Sequence, residues 1–225
     1  MSAQRASMID RLGTAVAEHS PTSEVTLVAL TGVTACGKTT MAAELTSALA
    51  QLGRRCVNID VDGFHNPRET RHRRGRESAE GYYYDAYNYD LLKRLVLEPL
   101  GSGGSHEYRT AGFDLDSDTV VDAPSLAASP GDIFLFSASF LLRPELVSYF
   151  GFKIFVDTDL DIAEQRGVAR DAVKLGSVER ATLLFRERYH KAQHIYFREA
   201  QPIQHADVLV NNNDLDRPVL FFRAR

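Results

Sequence analysis

Residues 27–40 read LVALTGVTACGKTT, in which an apolar run passes directly into a glycine loop. Gly32, Gly37, Lys38 and Thr39 match the pattern GxxxxGK(S/T) without a gap. In this pattern the glycines turn backbone N–H groups toward phosphates, the lysine reaches the outer phosphates, and the hydroxyl binds Mg²⁺. The pattern predicts a loop that binds a nucleoside triphosphate; the alternative is a tight strand-to-helix turn without a ligand. The residues of the predicted loop are Gly32, Val33, Thr34, Ala35, Cys36, Gly37, Lys38, Thr39 and Thr40.

Strands and helices alternate along the rest of the chain. Short apolar runs predict buried strands at residues 25–30, 56–60, 132–136, 152–156 and 206–210. Apolar residues at helical spacing predict helices at residues 7–18, 41–52, 89–100, 159–175 and 178–200. This alternation predicts an α/β fold, a P-loop NTPase three-layer sandwich around a mostly parallel sheet. We expect one domain over residues 1–225, with a leading helix in residues 1–20.

Composition excludes several other classes of protein. Hydrophobic residues make up 44% and charged residues 25% of the chain, which is typical of a folded globular protein rather than a disordered or fibrous one. The formal net charge of -4 gives no overall attraction to nucleic acid, so we expect no nucleic-acid partner. The sequence has no apolar run long enough to span a membrane and no signal-peptide core near its start, which predicts a cytoplasmic protein without a membrane partner.

The two cysteines, Cys36 and Cys56, show neither metal-ligand spacing nor a disulfide framework, which fits a reducing compartment. Cys36 lies inside the phosphate loop and is either a small spacer or a reactive thiol. Because no partner that would activate the thiol is identifiable, the spacer is the preferred interpretation.

Two acids stand at the end of the second predicted strand. Asp60 and Asp62 lie at its carboxyl end, which is the edge at which open α/β sheets bind ligands. Asp62 is a candidate general base that accepts a proton from a substrate hydroxyl; the alternative is a turn cap in the sequence DGF. The polar segment that follows, residues 61–87, is the acceptor-side segment, and its length indicates a functional role.

Five motifs follow in the order and spacing of one family of enzymes: GVTACGKTT, VDGFHNP, DAYNYD, KIFVDTDLDIAEQRGVARD and ADVLV. With them, residues 25–211 resemble the uridine kinase and phosphoribulokinase family of P-loop kinases, which phosphorylate hydroxyls of small molecules. The resemblance implies a nucleoside-kinase-like fold with an arginine-bearing lid, here residues 159–177. It implies that Asp62 is the catalytic base and a magnesium contact. It also implies that Asp85 holds ribose hydroxyls and that Tyr108 lies near the base of the acceptor.

Arg166 and Arg170 are the candidate lid arginines. Their spacing of four places both guanidinium groups on one face of a helix, where they can neutralise charge on the transferred phosphoryl group. With Lys38 and Asp62 they complete the predicted catalytic set. The alternative is a solvated helix in which these arginines pair with neighbouring acids. Three basic residues of the next predicted helix are expected mostly to face solvent: Arg186, Arg188 and His190.

A basic cluster lies beside Asp62 in the acceptor-side segment: Arg68, Arg71, His72, Arg73, Arg74 and Arg76. The cluster is either a solvated surface or a set of cations that binds an anionic part of the acceptor or folds over the nucleotide. Tyrosines that follow the cluster can stack on a flat base or cover the sheet. The candidate substrate-binding residues are His65, Arg68, Tyr82, Asp85, Tyr108 and Arg109.

One strand departs from the pattern of the family. The sequence DIFLFSASF places Ser137 and Ala138 where members of the family tend to have an acid followed by glycine. In many P-loop proteins an acid at this place holds Mg²⁺ directly or through water. A serine hydroxyl brings no charge, so we expect weaker metal binding unless Asp62 or Asp60 compensates.

The leading hypothesis is a kinase with ATP and Mg²⁺ as cofactors that transfers the γ-phosphate to a hydroxyl of a small molecule, with a nucleoside such as uridine as the preferred acceptor. A pantothenate-like or sugar-like alcohol would use the same machinery. Two other classes stay open: a nucleotide-binding regulatory protein with little turnover, and a hydrolase that attacks with water. The segments FLLRPELVSYF and VLFF could supply a contact surface for a homo-oligomer.

Overall fold

The computed structural model describes residues 1–223, and its centre is a six-stranded sheet. Strands β1 to β10 cover Thr26–Gly32, Cys56–Asp60, Glu107–Tyr108, Phe113–Asp114, Thr119–Val120, Leu126–Ala127, Ile133–Ala138, Phe152–Asp157, Val208–Asn211 and Val219–Phe222. The order in the central sheet is β10-β9-β8-β1-β7-β2. The pairs β9–β8, β8–β1, β1–β7 and β7–β2 are parallel, and β10 runs antiparallel to β9.

Helices cover both faces of this sheet. Helices α1 to α9 cover Ala3–His19, Lys38–Gln51, Arg68–Arg71, Tyr89–Leu92, Glu98–Leu100, Leu160–Leu175, Val178–Leu184, Lys191–Ala200 and Pro202–His205. Wide turns of the π type join α4 to α5 at Lys93–Leu97 and α7 to α8 at Phe185–His190. Among the described residues, no helix combines the length and the apolar character needed to cross a membrane.

The core has two parts because successive side chains of a strand point to opposite faces of the sheet. In β1, Leu27 and Ala29 join one apolar cluster, whereas Val28 and Leu30 join the cluster formed with α1 and α2. Every residue of β1 is buried. The strand is therefore at the centre of a three-layer α/β sandwich, as the sequence predicted. The loop that follows the strand lies at the edge of the sheet.

The predicted strands and helices are found close to their predicted positions, whereas several connecting segments contain structure that was not predicted. β2 has the predicted bounds, and the other predicted strands are found within two residues of theirs at both ends. The acceptor-side segment, for which no helix or strand was predicted, contains a 3₁₀ turn at Val61–Phe64, helix α3 and a π turn at Gly81–Asp85. Two small antiparallel sheets, β3 with β6 and β4 with β5, were not predicted.

The two segments considered as contact surfaces differ in burial. In FLLRPELVSYF the apolar side chains of Phe140, Leu142 and Phe150 are buried in the core, so this part of the prediction is wrong. In the VLFF segment, now strand β10, Phe221 and Phe222 are about half exposed, at 54% and 46%. A homo-oligomer through that strand stays a prediction.

Candidate active site

A cleft of about 900 Å³ opens at the carboxyl ends of β2 and β7, beside the loop that follows β1. This is the edge at which open α/β sheets bind ligands. Many of the predicted site residues line the cleft: Thr34, Ala35, Gly37, Lys38, Thr39, Thr40, Asp62, His65, Tyr82, Arg166 and Arg170. Three residues of the predicted loop, Gly32, Val33 and Cys36, are buried behind it.

Two glycines of the phosphate loop stand where a side chain does not fit. A Cβ on Gly32 would lie 2.4 Å from the carbonyl oxygen of Val156 and 2.9 Å from Sγ of Cys36. Gly37 has φ +99°, and a Cβ there would lie 2.8 Å from Nδ2 of Asn212. Both positions therefore require glycine for close packing, and Gly37 also for its left-handed backbone. The resulting tight turn into α2 is a ready-made cradle for phosphate.

Residues distant in sequence support this loop from behind. Asn212, just after β9, donates from Nδ2 to the carbonyl oxygen of Cys36 at 2.7 Å. Arg5 of α1 donates from Nη1 to Oδ1 of Asn212 at 3.1 Å and forms an ion pair with Glu44 of α2 at 2.8 Å. Arg5 is only 5% exposed. These contacts tie the first two helices and the last parallel strand to the phosphate loop, and the sequence analysis had assigned none of them a role.

Lys38 lies at the mouth of the loop. Its Nζ donates to the carbonyl oxygens of Gly32 at 3.0 Å and Val33 at 2.9 Å, and lies 3.4 Å from Oγ of Ser139. Burial raises the pKa of the Cys36 thiol above its ordinary value, although the charge of Lys38 opposes that shift. A buried thiol with a raised pKa is unreactive, which supports the interpretation of Cys36 as a small spacer.

Asp62 faces the cleft with its carboxylate available. The turn at Val61–Phe64 is capped by Asp60, whose Oδ1 accepts from the backbone N–H of Asp62 at 3.0 Å. The carboxylate of Asp62 is therefore not used as the cap of this turn. The hydroxyl of Tyr87 donates to Oδ1 of Asp62 at 3.2 Å, and the Asp62 side chain is 57% exposed. One contact orients the carboxylate while the rest of it stays accessible to a substrate.

His65 packs directly beside this acid. Its Nδ1 lies 3.0 Å from the carbonyl oxygen of Asp62, and its ring centroid lies 4.3 Å from that of Tyr87. Burial lowers the pKa of His65 below its ordinary value; the charge of Asp62 opposes this shift, and the charges of Arg71 and Arg188 add to it. His65 is therefore neutral near pH 7 and can donate Nδ1–H to the Asp62 carbonyl, which holds the turn in place.

Both candidate lid arginines line the cleft, on α6. Arg166 donates to the carbonyl oxygens of Asn212 at 2.9 Å and Asn213 at 2.6 Å. Arg170 pairs with Asp171 at 2.8 Å, which is one of the pairings that the solvated-helix alternative required. Because both side chains nevertheless line the same cavity as Lys38, the geometry agrees with a role at the phosphates.

The end of β7 is also part of the cleft. Ser137 lines it and pairs in register with Asp60 of the neighbouring strand β2. Adjacent strands lie about 4.8 Å apart, so the Asp60 carboxylate stands where it can supply the charge that Ser137 lacks. Within residues 1–223 no three or more His, Cys, Asp or Glu side chains form a metal-binding group. Mg²⁺ usually needs only one or two carboxylates in addition to substrate phosphates, and Thr39, Asp60 and Asp62 fit that requirement.

Two predicted acceptor-binding residues do not reach the cleft. Asp85 is 2% exposed, and its carboxylate pairs with Arg73 and, at 2.8 Å, with Arg74. The hydrogen bond from Arg73 lowers the pKa of Asp85 below its ordinary value. Tyr108 is also 2% exposed and packs edge-to-face on Phe134, with ring centroids 4.8 Å apart. Tertiary contacts have thus placed one residue in an ion-pair cluster and the other in the core.

The remaining basic candidates include some that line the cleft and some that do not. Arg109 pairs with Asp122, and Arg68 is exposed; neither lines the cleft. Of the basic cluster, Arg71 does line it, with hydrogen bonds to the carbonyl oxygen of Asn66 at 2.7 Å and to Asp118 at 2.9 Å. Most of the cluster is therefore engaged in the packing or exposed on the surface of the acceptor-side segment.

Further cleft residues were missed by the sequence analysis. Arg188, expected to face solvent, lines the cleft together with Tyr189; Tyr87, one of the tyrosines considered for stacking on a base, lines it as well. Arg186 is exposed as expected and pairs with Glu164 at 2.8 Å. Arg188 belongs to the π turn at Phe185–His190, where the wider turn changes which side chains face the sheet. The sequence carries no local mark of that turn.

Most of this chain matches the sequence profile of one protein family. The sequence profile of the Phosphoribulokinase / Uridine kinase family matches residues 27–212. The chain belongs to this family. The match begins at β1 and ends at Asn212, the residue that supports the phosphate loop, so it includes every element that lines the cleft.

Individual relatives agree with that membership of the phosphoribulokinase and uridine kinase family. Uridine-cytidine kinase B of Dictyostelium discoideum is 30% identical over 190 residues, which are 82% of this chain and 73% of that protein. Uridine kinase-like protein 5 of Arabidopsis thaliana is 27% identical over 195 residues, 85% of this chain, and the chain spans only 40% of its length. The structure of a possible uridine kinase from Bacillus stearothermophilus has a TM-score of 0.69 at 24% identity, covering 89% of this chain and 96% of that one, and it shows the same fold.

Proposed function

We propose that this protein is an ATP-dependent phosphotransferase that moves the γ-phosphate to a hydroxyl group of a small molecule. The observation that carries the proposal is the placement of Asp62 and the phosphate loop on one cleft, with the Asp62 carboxylate exposed to it. A regulatory nucleotide-binding protein needs only the loop and its metal site, whereas transfer to an alcohol also needs a base that can reach the acceptor hydroxyl. Membership of the phosphoribulokinase and uridine kinase family supports the same proposal.

Each group in the cleft has a role in such a transfer. The backbone of the phosphate loop and Lys38 bind the triphosphate. Thr39 and Asp62, with Asp60 beside them, would hold Mg²⁺, which supplies positive charge to the phosphates when bound. Asp62 accepts the proton of the attacking hydroxyl, a contribution that is typically about 10²–10⁴ in rate.

The arginines of α6 act on the transferred group. Arg166 and Arg170 neutralise the charge that develops on its oxygens, and their planar, permanently charged groups suit that task. Positioning and charge neutralisation account for most of the catalysis of phosphoryl transfer. The cleft therefore needs no covalent intermediate on the protein.

A nucleoside is the acceptor class that we propose to test first, because the named relatives are a uridine-cytidine kinase and a uridine kinase-like protein. Tyr82 and Tyr189 offer ring surfaces on which a base can stack. The engagement of Asp85 with Arg73 and Arg74 favours a second candidate, a non-nucleoside alcohol, since this acid is not free to hold ribose hydroxyls.

Release of ADP from ATP and Mg²⁺ in the presence of a panel of alcohols tests the proposal. The panel consists of nucleosides, pantothenate and simple sugars, with buffer alone as the control. Release that depends on an alcohol supports the kinase, and mass spectrometry of the phosphorylated product identifies the acceptor. Equal release in buffer alone would instead show a hydrolase, and tight ATP binding without any release would show a regulatory protein.

A further inference from the structure

Arg188 is a cation of the cleft that has no anionic partner within residues 1–223. Its guanidinium lies over the ring of Tyr82, 4.8 Å from the centroid, and over that of Tyr189 at 5.6 Å. Its Nε is buried and has no hydrogen-bond partner among the described residues. A buried donor without an acceptor is unfavourable, so a ligand that supplies an acceptor here would recover free energy.

The other arginines of the cleft differ from Arg188 in this respect. Arg71 pairs with Asp118, Arg170 pairs with Asp171, and Arg166 donates to two backbone carbonyl oxygens. For Arg188, no carboxylate lies within ion-pair distance in residues 1–223. The two tyrosine rings pack against its guanidinium, whose planar set of N–H donors suits a planar or tetrahedral anion.

Arg188 and Arg71 line the same cleft as the candidate catalytic carboxylate of Asp62. Tyr82, over whose ring the Arg188 guanidinium lies, also lines it, as does His65, whose Nδ1 lies 3.0 Å from the carbonyl oxygen of Asp62. An acceptor whose hydroxyl reaches Asp62 therefore lies in the same cleft as the two arginines.

The cleft contains more cations than the proposed roles at the triphosphate use. The lining contains five lysine or arginine residues and two aspartates, Asp60 and Asp62. Lys38, Arg166 and Arg170 are assigned to the triphosphate, and the two aspartates to Mg²⁺ and the hydroxyl. Arg71 and Arg188 are left; Arg71 is paired with Asp118, and Arg188 has no carboxylate within ion-pair distance among the described residues.

We propose that Arg188, assisted by Arg71, binds a negatively charged group of the acceptor, a phosphate or a carboxylate, apart from the hydroxyl that is phosphorylated. This inference rests on the proposed function and narrows its acceptor class. Arginine binds phosphate and carboxylate in the same way, because two N–H donors of the planar guanidinium form parallel hydrogen bonds to two oxygen atoms of the anion. A nucleoside fits only if it carries such a group.

Acceptors with and without an anionic group, each with a free hydroxyl, provide the test. The pairs are uridine with uridine 3′-monophosphate, which keeps its 5′-hydroxyl, and glycerol with D-glycerate and with glycerol 3-phosphate, each measured by ADP release with saturating ATP and Mg²⁺. We expect a charged member to exceed its neutral counterpart in kcat/KM by about tenfold or more. The carboxylate and phosphate members of the glycerol series distinguish the two sources of charge.

Variants of Arg188 assign the effect to this residue. Arg188→Gln should raise KM for the charged acceptor by about tenfold to a hundredfold, leave KM for ATP unchanged and leave the neutral acceptor unaffected. Arg188→Lys should restore part of the affinity. Arg186→Gln, two residues away on the same turn, outside the cleft and paired with Glu164, is the matched control and should change neither KM. Thermal unfolding of each variant checks that it is folded.

Two results would overturn the inference while leaving the kinase in place. One is a neutral acceptor that is preferred and is insensitive to Arg188→Gln. The other is a fall in kcat by the same factor for neutral and charged acceptors, which would place Arg188 on the transferred phosphoryl group. If no acceptor releases ADP, the proposed function fails instead. Calorimetric binding of the same pairs with a non-hydrolysable ATP analogue then decides the inference: charged acceptors must bind more tightly, and Arg188→Gln must remove the difference.

Discussion

Replacing Gly167 by alanine should loosen the helix that carries the lid arginines. Gly167 follows Arg166 on α6 and faces the ring of Phe185. A Cβ at this position would lie 1.9 Å from Cζ of Phe185 and 2.4 Å from its Cε1. Carbon atoms normally approach to about 3.5 Å, so ring and helix must separate by roughly 1.5 Å. The ring cannot simply turn aside, because it is fully buried and packs edge-to-face on Tyr189 at 4.9 Å.

The expected loss of stability follows from two opposing effects. Overpacking a core contact costs about 1–3 kcal/mol, and alanine returns up to about 1 kcal/mol through its better helix propensity. We expect Gly167→Ala to lower the free energy of unfolding by about 1–2 kcal/mol, or roughly 2–8 °C in Tm for a chain of this size. Because α6 carries Arg166 and Arg170, which line the cleft, its displacement should also raise the KM for ATP.

Urea denaturation followed by circular dichroism measures this loss, and a double-mutant cycle tests its cause. Phe185→Leu removes the ring edge and should be tolerated better in the Gly167→Ala background than alone, with a coupling energy of about 0.5–3 kcal/mol. A Gly167→Ala variant that is as stable as the parent protein would refute the reasoning. So would two substitutions whose effects simply add.

Three further predictions concern the metal, the support of the loop and a buried histidine. Ser137→Asp should lower the Mg²⁺ concentration needed for half-maximal ADP release, and an unchanged requirement would show that Asp60 and Asp62 already suffice. Arg5→Met should lower the free energy of unfolding, measured by urea denaturation, by about 2–4 kcal/mol, because it leaves the half-buried Glu44 unpaired. Adding Glu44→Met to this variant should recover part of the loss, and a double variant that recovers none of it would contradict the explanation. Folding lowers the pKa of His65, so the unfolded chain binds more protons below about pH 6.5 and the stability due to neutral His65 is lost as pH falls. The stability difference between the parent and His65→Gln should therefore shrink from pH 7.5 to pH 5, and a constant difference would argue against it.

The sequence predicted well where the glycine loop, Lys38 and Thr39 lie, because these residues are close together in the chain. The glycines, Lys38 and Thr39 lie within eight consecutive residues between a buried strand and a helix, so spacing alone defines their geometry. Asp62 follows the end of β2 by two residues and is placed by the same strand edge. The lid arginines follow from helical periodicity on α6.

The acceptor side was predicted less well because tertiary pairing decides it. Whether Asp85 faces a ligand depends on the path of a loop that brings Arg73 and Arg74 against it, and no periodicity encodes that path. Tyr108 lies on a two-residue strand, too short to leave a pattern. Arg188 faces the cleft from a π turn that an ideal helical period does not anticipate.

ADP release by Asp62→Asn, measured beside ATP binding in the same preparation, tests the central claim most directly. The amide keeps the size of the side chain and its hydrogen-bonding oxygen but removes the base. We predict that acceptor-dependent kcat falls by about 10²–10⁴ while the protein stays folded and still binds ATP. Turnover at the level of the parent protein would show that Asp62 does not activate the acceptor.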